Sequence, residues 1–179
     1  MSRIKLIHHI NIQITDRERT REWYERVLGC EFLDRGPALL NKRQLQTRIG
    51  NGEMHFSTVA KRDDQPASNH FAVEVADWDK MLAHLDEESV QYGRSDGSRG
   101  WDPIDGEDPR CYREDTGEHY TYIHDPDGNM IELVYHPRGW QDSKGNEVEI
   151  EYDSDGMGVV QKPGWVARQY EEVKEPATA

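Results

Sequence analysis

The feature that most constrains the fold of this chain is an internal repeat. The segment 9–16 reads His-Ile-Asn-Ile-Gln-Ile-Thr-Asp, and the segment 70–77, which lies 61 residues later, reads His-Phe-Ala-Val-Glu-Val-Ala-Asp. Both place apolar residues at every second position, which is typical of a half-buried strand, and both end on an Asp that can cap a helix. The sequence therefore predicts two copies of one unit that pack together.

Each copy continues with a predicted helix. The first covers residues 17–28, where Trp23, Val27 and Leu28 share one stripe and Gly29 follows as a stop. The second covers residues 78–87, where apolar residues again recur at helical spacing.

Further strands close each copy. Alternating runs occur at 54–59 in the first copy and at 120–124 and 130–135 in the second. The last two runs are joined by Asp-Pro-Asp-Gly at 125–128, a typical turn sequence. Each half thus has the order strand-helix-strand-strand-strand.

The predicted fold class is α+β, with two βαβββ modules that form a cupped mixed sheet. We place the first module at 1–62 and the second at 63–137. A Gly-, Asp- and Arg-rich loop at 93–118 is long enough to act as a lid over a binding site. A polar C-terminal extension follows at 138–179, within which 147–152 alternates and predicts an edge strand.

Composition limits the partners and the compartment. The formal net charge is −13, which disfavours nucleic acid and anionic membranes because both require a basic surface. There is no apolar run long enough for a membrane span or a signal peptide, so we expect a cytoplasmic protein. Cys30 and Cys111 have no metal-ligand spacing and are expected to be free thiols.

Four polar groups lie on the strand faces opposite the predicted apolar core. They are His9 and His70, which occupy the same position in the two copies, His55 between the apolar Met54 and Phe56, and Glu132. A single histidine in such a place is usually only solvated. Two repeat-related histidines with a carboxylate indicate instead a site for one divalent metal ion, and this donor set suits Fe(II), with Mn, Zn, Ni or Co as alternatives.

The motifs resemble a known group of proteins. The opening His strand, the helix that carries Trp23-Tyr24 and ends at Gly29, and the segment Asp-Pro-Asp-Gly-Asn-Met-Ile-Glu at 125–132 are similar to the vicinal oxygen chelate superfamily of glyoxalases, bleomycin resistance proteins and extradiol dioxygenases. The resemblance covers about residues 4–137. It implies paired βαβββ modules around a metal ion, with His9, His70 and Glu132 as the metal ligands.

Two further residues resemble the small extradiol ring-cleaving dioxygenases. His55 precedes His70 by fifteen residues, which matches the acid-base histidine of those enzymes, and Tyr122 precedes Glu132 by ten, which matches their tyrosine. The resemblance implies that His55 and Tyr122 are catalytic and that the substrate is a catechol-like aromatic. Their upstream histidine is replaced here by Arg113. An acid-base His55 is favoured over a fourth-ligand His55, because three ligands already form a facial triad.

Other activities of the superfamily remain open. They are a nickel or zinc lyase or isomerase like glyoxalase I, which would carry Glu where this chain has His55, a metal-dependent antibiotic-modifying transferase, and a metal-free drug-binding resistance protein. The transferase needs a basic cluster for its substrate, for which Arg110, Arg113 and Arg138 are the candidates. We also expect a homodimer, because one pair of modules leaves sheet edges and apolar faces to be covered, and its metal site can be shared between chains.

Overall fold

A computed structural model shows, in the part of the chain that it describes, two four-stranded mixed sheets, each with one helix, as expected for the predicted α+β fold class. The structure describes most of both repeats and parts of the C-terminal extension. The described residues are 8–33, 44–50, 52–62, 69–93, 110–142, 144–148, 151–152, 159–160 and 166–168.

The first sheet has the strand order β1-β4-β3-β2. Strand β1 runs parallel to β4, and the other pairs are antiparallel. Its elements are β1 (His9–Ile14), α1 (Arg17–Leu28), β2 (Glu31–Phe32), β3 (Gln44–Ile49) and β4 (Gly52–Thr58).

The second sheet repeats this topology in the order β5-β8-β7-β6, with β5 parallel to β8. The repeated unit that the sequence predicts is therefore confirmed as βαβββ in both copies. Its elements are β5 (His70–Glu74), α2 (Trp78–Glu87), β6 (Cys111–Arg113), β7 (Glu118–His124) and β8 (Met130–Tyr135).

Both helices begin at the predicted caps. The carboxylate of Asp16 accepts a hydrogen bond from the backbone N–H of Arg19, and that of Asp77 accepts one from Lys80. Helix α1 ends at Gly29, whose φ of 63° lies in the left-handed region that favours glycine. The repeat therefore encodes the same strand-to-helix turn twice.

One continuous core joins the two copies. Tyr24 of α1 and Phe56 of β4 are fully buried from the first copy, and Leu85 of α2 with Ile131 and Leu133 is fully buried from the second. The apolar strand positions thus face the helices, as the alternation predicts. We call the face of each sheet that lies opposite this core the open face. It carries His9 and His55 in the first sheet and His70 and Glu132 in the second.

The Asp-Pro-Asp-Gly turn between β7 and β8 connects the copies. Tyr24 donates its hydroxyl to Asp125 Oδ2 at 3.1 Å, and both groups are buried. Thr15 and Arg19 donate to Asp127 Oδ1 at 2.5 and 2.9 Å. Burial raises the pKa of Asp125 and of Tyr24. A motif that resembles a family signature therefore has a structural role at the junction of the two sheets.

Several predicted segments differ from the structure or fall outside it. The end of the predicted loop 93–118 forms strand β6, and residues 94–109 lie outside the described residues. The predicted edge strand at 147–152 is two short strands that pair with different partners, β10 (Glu147–Val148) with β9 (Trp140–Gln141) and β11 (Glu151–Tyr152) with β12 (Val159–Val160). Strand β13 (Val166–Ala167) also pairs with β9.

The remaining expectations concern membranes and cysteines. Among the described helices none is long and apolar enough to cross a membrane. Cys30 and Cys111 are buried free thiols, as predicted.

The junction leads to a prediction for stability. Replacing Tyr24→Phe removes the phenol that donates to buried Asp125, so we expect the free energy of unfolding to fall by about 1–3 kcal/mol in chemical denaturation. Tyr112→Phe is the matched control, because Tyr112 is 53% exposed and should change stability by under about 0.5 kcal/mol. Equal stability of Tyr24→Phe and wild type would contradict a role for this bond at the junction.

Candidate metal centre

The second sheet brings two of the predicted ligands into contact. His70 begins β5 and Glu132 lies on the neighbouring strand β8, where it is in register with Ala72. Their side chains meet on the open face, with His70 Nε2 3.0 Å from Glu132 Oε2. Glu132 is buried, and the His70 side chain is one-third exposed. The carboxylate of this pair is thus sheltered from solvent, whereas the imidazole side chain is partly exposed.

This spacing fits a metal ion. Two ligands at right angles, each about 2.1 Å from a metal ion, have donor atoms about 3.0 Å apart. In the structure His70 and Glu132 are hydrogen-bonded at 3.0 Å, and this separation also agrees with the value for two metal ligands. An imidazole and a carboxylate are also a suitable donor combination for divalent first-row metals.

Tyr122 and Arg113 hold the other oxygen of Glu132. Tyr122, directly across from Glu132 in the β7–β8 register, donates its hydroxyl to Oε1 at 3.2 Å. Arg113 Nη2 lies 3.8 Å from the same oxygen. Burial, together with the adjacent Glu132 carboxylate, raises the pKa of Tyr122 well above its usual range, so the phenol remains a donor. Glu132 Oε2 is therefore left pointing toward His70.

The first sheet brings the other two candidates together. The rings of His9 and His55 are stacked, with centroids 4.1 Å apart and an interplanar angle of 14°. His55 Nε2 is 3.3 Å from Glu53 Oε2, and His9 Nδ1 is 3.0 Å from His8 Nδ1. The first open face thus presents an imidazole pair where the second presents an imidazole and a carboxylate.

The strand registers show that these two pairs are equivalent. In the parallel β1–β4 pair, Asn11 is opposite His55, and in the parallel β5–β8 pair, Ala72 is opposite Glu132. Asn11 and Ala72 each lie two residues after the histidine that opens the strand. His55 therefore occupies in the first sheet the position that Glu132 occupies in the second. The resemblance to glyoxalase I already indicates a ligand position at residue 55, and the strand pairing shows that this position is equivalent to that of Glu132.

The two pairs do not combine within one chain. Among the residues that the structure describes, no three His, Cys, Asp or Glu side chains are close enough to hold a metal ion. His9 with His55 and His70 with Glu132 are thus two half-sites on separate sheets. Among the described residues of the chain, the His70–Glu132 pair is not joined by a third His, Cys, Asp or Glu side chain.

A network of ionisable side chains, which the sequence reasoning missed, extends from Glu132. Arg113 Nη1 lies 3.1 Å from Glu118 Oε1, and His136 contacts Glu118 at 2.9 Å and Glu74 at 2.7 Å through its two ring nitrogens. Burial raises the pKa of Glu74, and its hydrogen bonds to His136 partly oppose that rise. The alternation places Glu74 and Glu118 on the same strand faces as His70 and Tyr122, but it does not show which of these side chains meet.

Sequence comparison identifies the family. The model of the glyoxalase/bleomycin resistance protein/dioxygenase superfamily matches residues 6–133. The chain belongs to this superfamily. It includes enzymes and resistance proteins, so membership supports a metal-dependent enzyme or a resistance protein without selecting one activity. None of the curated proteins matches the chain.

Solved structures of the superfamily share the fold. A glyoxalase family protein from Bacillus anthracis superposes with a TM-score of 0.59 at 19% identity, over 76% of this chain and 98% of its own. A glyoxalase family protein from Enterococcus faecalis gives 0.54 at 23%, over 73% and 97%. The fosfomycin resistance protein FosX from Listeria monocytogenes gives 0.55 at 14%, over 74% and 93%. At these identities the likeness is one of fold.

Proposed function

We propose that this chain is a metal-dependent vicinal oxygen chelate enzyme whose metal centre is completed by homodimerisation. One chain contributes His9, and the other contributes His70 with Glu132. The observation that carries the proposal is the His70–Glu132 pair at 3.0 Å, which has metal-ligand spacing but lacks a third ligand among the described residues of its own chain. The exposed His9 on the first open face is the repeat-related histidine that can provide it.

The residues around the ligands have separate tasks in this proposal. Tyr122 and Arg113 orient Glu132 through its Oε1, so that Oε2 and the carboxylate charge are directed to the metal position. The metal ion would bind two vicinal oxygens of a small substrate and lower the pKa of its hydroxyl groups. His70, which is partly exposed, also marks the side from which a substrate can approach.

For the reaction we propose extradiol-type oxygenation of a catechol-like aromatic, with Fe(II) as the metal ion. Three protein ligands leave adjacent coordination positions open for a chelating substrate. In this reaction His55 takes a proton from a substrate hydroxyl and later returns it, with Glu53 at 3.3 Å orienting its ring. The support for this activity is the spacing of His55 and Tyr122 in the sequence.

A second candidate is a lyase, isomerase or transferase that uses nickel, zinc or manganese. The observation that favours it is the register, because His55 occupies the position equivalent to the ligand Glu132. A fourth protein ligand leaves fewer positions for a chelating substrate together with dioxygen. Metal analysis of protein purified without chelator separates these candidates: iron supports the dioxygenase, and nickel, zinc or manganese supports the second candidate.

The shared centre predicts the outcome of a mixing experiment. His9→Ala and Glu132→Ala should each abolish metal binding, measured by elemental analysis of purified protein. When the two variants are unfolded together and refolded in equal amounts, half of the dimers combine one chain of each kind, and each such dimer has one intact site. We therefore expect about a quarter of the wild-type metal content to return.

His84→Ala is the matched control, since His84 lies on helix α2, and its metal content should equal that of wild type. Metal that does not return on mixing, or a chain that remains monomeric with metal bound in light scattering, would contradict the shared centre.

His55→Ala tests the role of His55. As an acid-base group, His55 can be removed with metal still bound, and turnover of a catechol should fall by about 10²–10⁴-fold. As a fourth ligand, its removal should lower metal content together with turnover. Elemental analysis beside turnover of the same preparation distinguishes the two roles. Full activity in His55→Ala would exclude both.

Tyr122→Phe tests the support of Glu132. Loss of the hydroxyl that donates to Oε1 should weaken metal affinity by about 10–100-fold while still permitting saturation, as is typical for partners of metal ligands. Tyr112→Phe is the matched control and should leave the affinity unchanged, because Tyr112 lies on β6 of the same sheet and is exposed. Affinities follow from titration with a competing chelator, and an unchanged affinity in Tyr122→Phe would contradict the orienting role.

A further inference from the structure

A cleft of about 460 Å³ lies beside His70, where the edge of the first sheet approaches the second. Its volume is within the range of small-molecule sites. Ile10 and Ile12 of β1 and Phe71 and Met130 of the second sheet provide apolar walls. The cleft can therefore enclose a small molecule with an apolar body.

The charge of the cleft is opposite to that of the chain. The protein carries a formal net charge of −13, with 35 acidic residues. No carboxylate is among the described residues that line the cleft, and Arg62 is the one arginine or lysine among them. The other polar lining groups are amides, a hydroxyl and imidazoles. This local excess of donors favours an anionic ligand over a cation.

Arg62 is anchored and retains an unused donor. Its Nη1 donates to the backbone carbonyl of Asp127, and the Asp-Gly turn packs against the guanidinium at Gly128. Its Nε is buried and has no hydrogen-bond partner among the residues that the structure describes. Because Nε is shielded from solvent, a ligand in the cleft would meet the other nitrogens of this guanidinium group, which lines the cleft. Because the turn already holds the side chain, little side-chain entropy is lost on binding.

We propose that this cleft binds small molecules with an apolar, aromatic-sized body and one anionic oxygen group, a carboxylate or a phosphonate, with the anion held by Arg62. The apolar body then lies along Ile12 and Phe71 toward His70. This ligand class would be the substrate class of the proposed metal centre. The assignment rests on the proposed function because the cleft adjoins His70, a proposed metal ligand. Arg62 is a specificity-determining residue in this assignment.

Binding is measured with metal-free protein, so that the result does not depend on the proposed metal centre. Benzoate, phenylphosphonate and the neutral analogue benzamide are titrated into chelator-treated, full-length wild type by calorimetry. We expect at least one anion to bind about tenfold or more tighter than benzamide, the effect of one charge-assisted hydrogen bond. The tighter anion identifies the group that Arg62 selects.

Arg62→Gln should reduce the affinity for the anions to that for benzamide, and Arg62→Lys should retain part of the preference. Arg19→Gln is the matched control, because Arg19 also binds Asp127 of the same turn but does not line the cleft. Equal binding of all three probes to wild type would overturn the proposal, and so would a loss in Arg19→Gln as large as in Arg62→Gln. The metal content of Arg62→Gln should match that of wild type, which separates this result from failure of the metal centre.

Discussion

The contacts of one turn, Asp-Pro-Asp-Gly at 125–128, link the two sheets at the edge of their shared apolar core. Asp125 is buried beneath Tyr24, and its carboxylate also accepts from the backbone N–H of Asp127 and from Asn129. Such a carboxylate is costly to bury, and these hydrogen bonds offset the cost. The turn also sets where β8 begins, and Glu132 lies on β8 two residues after its start. The interaction that joins the copies thereby also positions a proposed metal ligand.

Because side chains alternate along the strands, one face of each sheet stabilises the fold and the other carries the candidate functional groups. One face of each sheet contributes to a shared apolar core, so the helices and the core lie on the same side. The open faces then carry the histidines and carboxylates, where a charge can be met by another charge or by a ligand without disturbing the core. In the second sheet Arg113 lies between Glu118 and Glu132, which allows two buried carboxylates to exist near each other.

Much of this fold could be predicted from local sequence patterns. The pairing between distant segments could not. The helix bounds follow from the Asp16 and Asp77 caps and from Gly29, and the orientation of His70 and Glu132 follows from period two. The equivalence of His55 with Glu132 is a consequence of parallel pairing in two separate sheets, which no short sequence window contains. The proposed role of Arg62 could not be predicted from sequence patterns either. Arg62 follows the end of a strand, and its position in the cleft depends on the distant turn that packs against it.

The strand pairing is the reason that the proposed metal centre takes its third ligand from a second chain. Both helices and the apolar strand faces are used to bury one core within the chain, so the open faces are directed away from that core. The two half-sites are His9 with His55 and His70 with Glu132. They occupy equivalent positions in the two copies of the repeat. In the proposed dimer, a twofold axis would bring unlike half-sites together twice, because each chain would offer its first open face to the second open face of the other. Dimerisation would in this way convert an internal repeat into two identical centres.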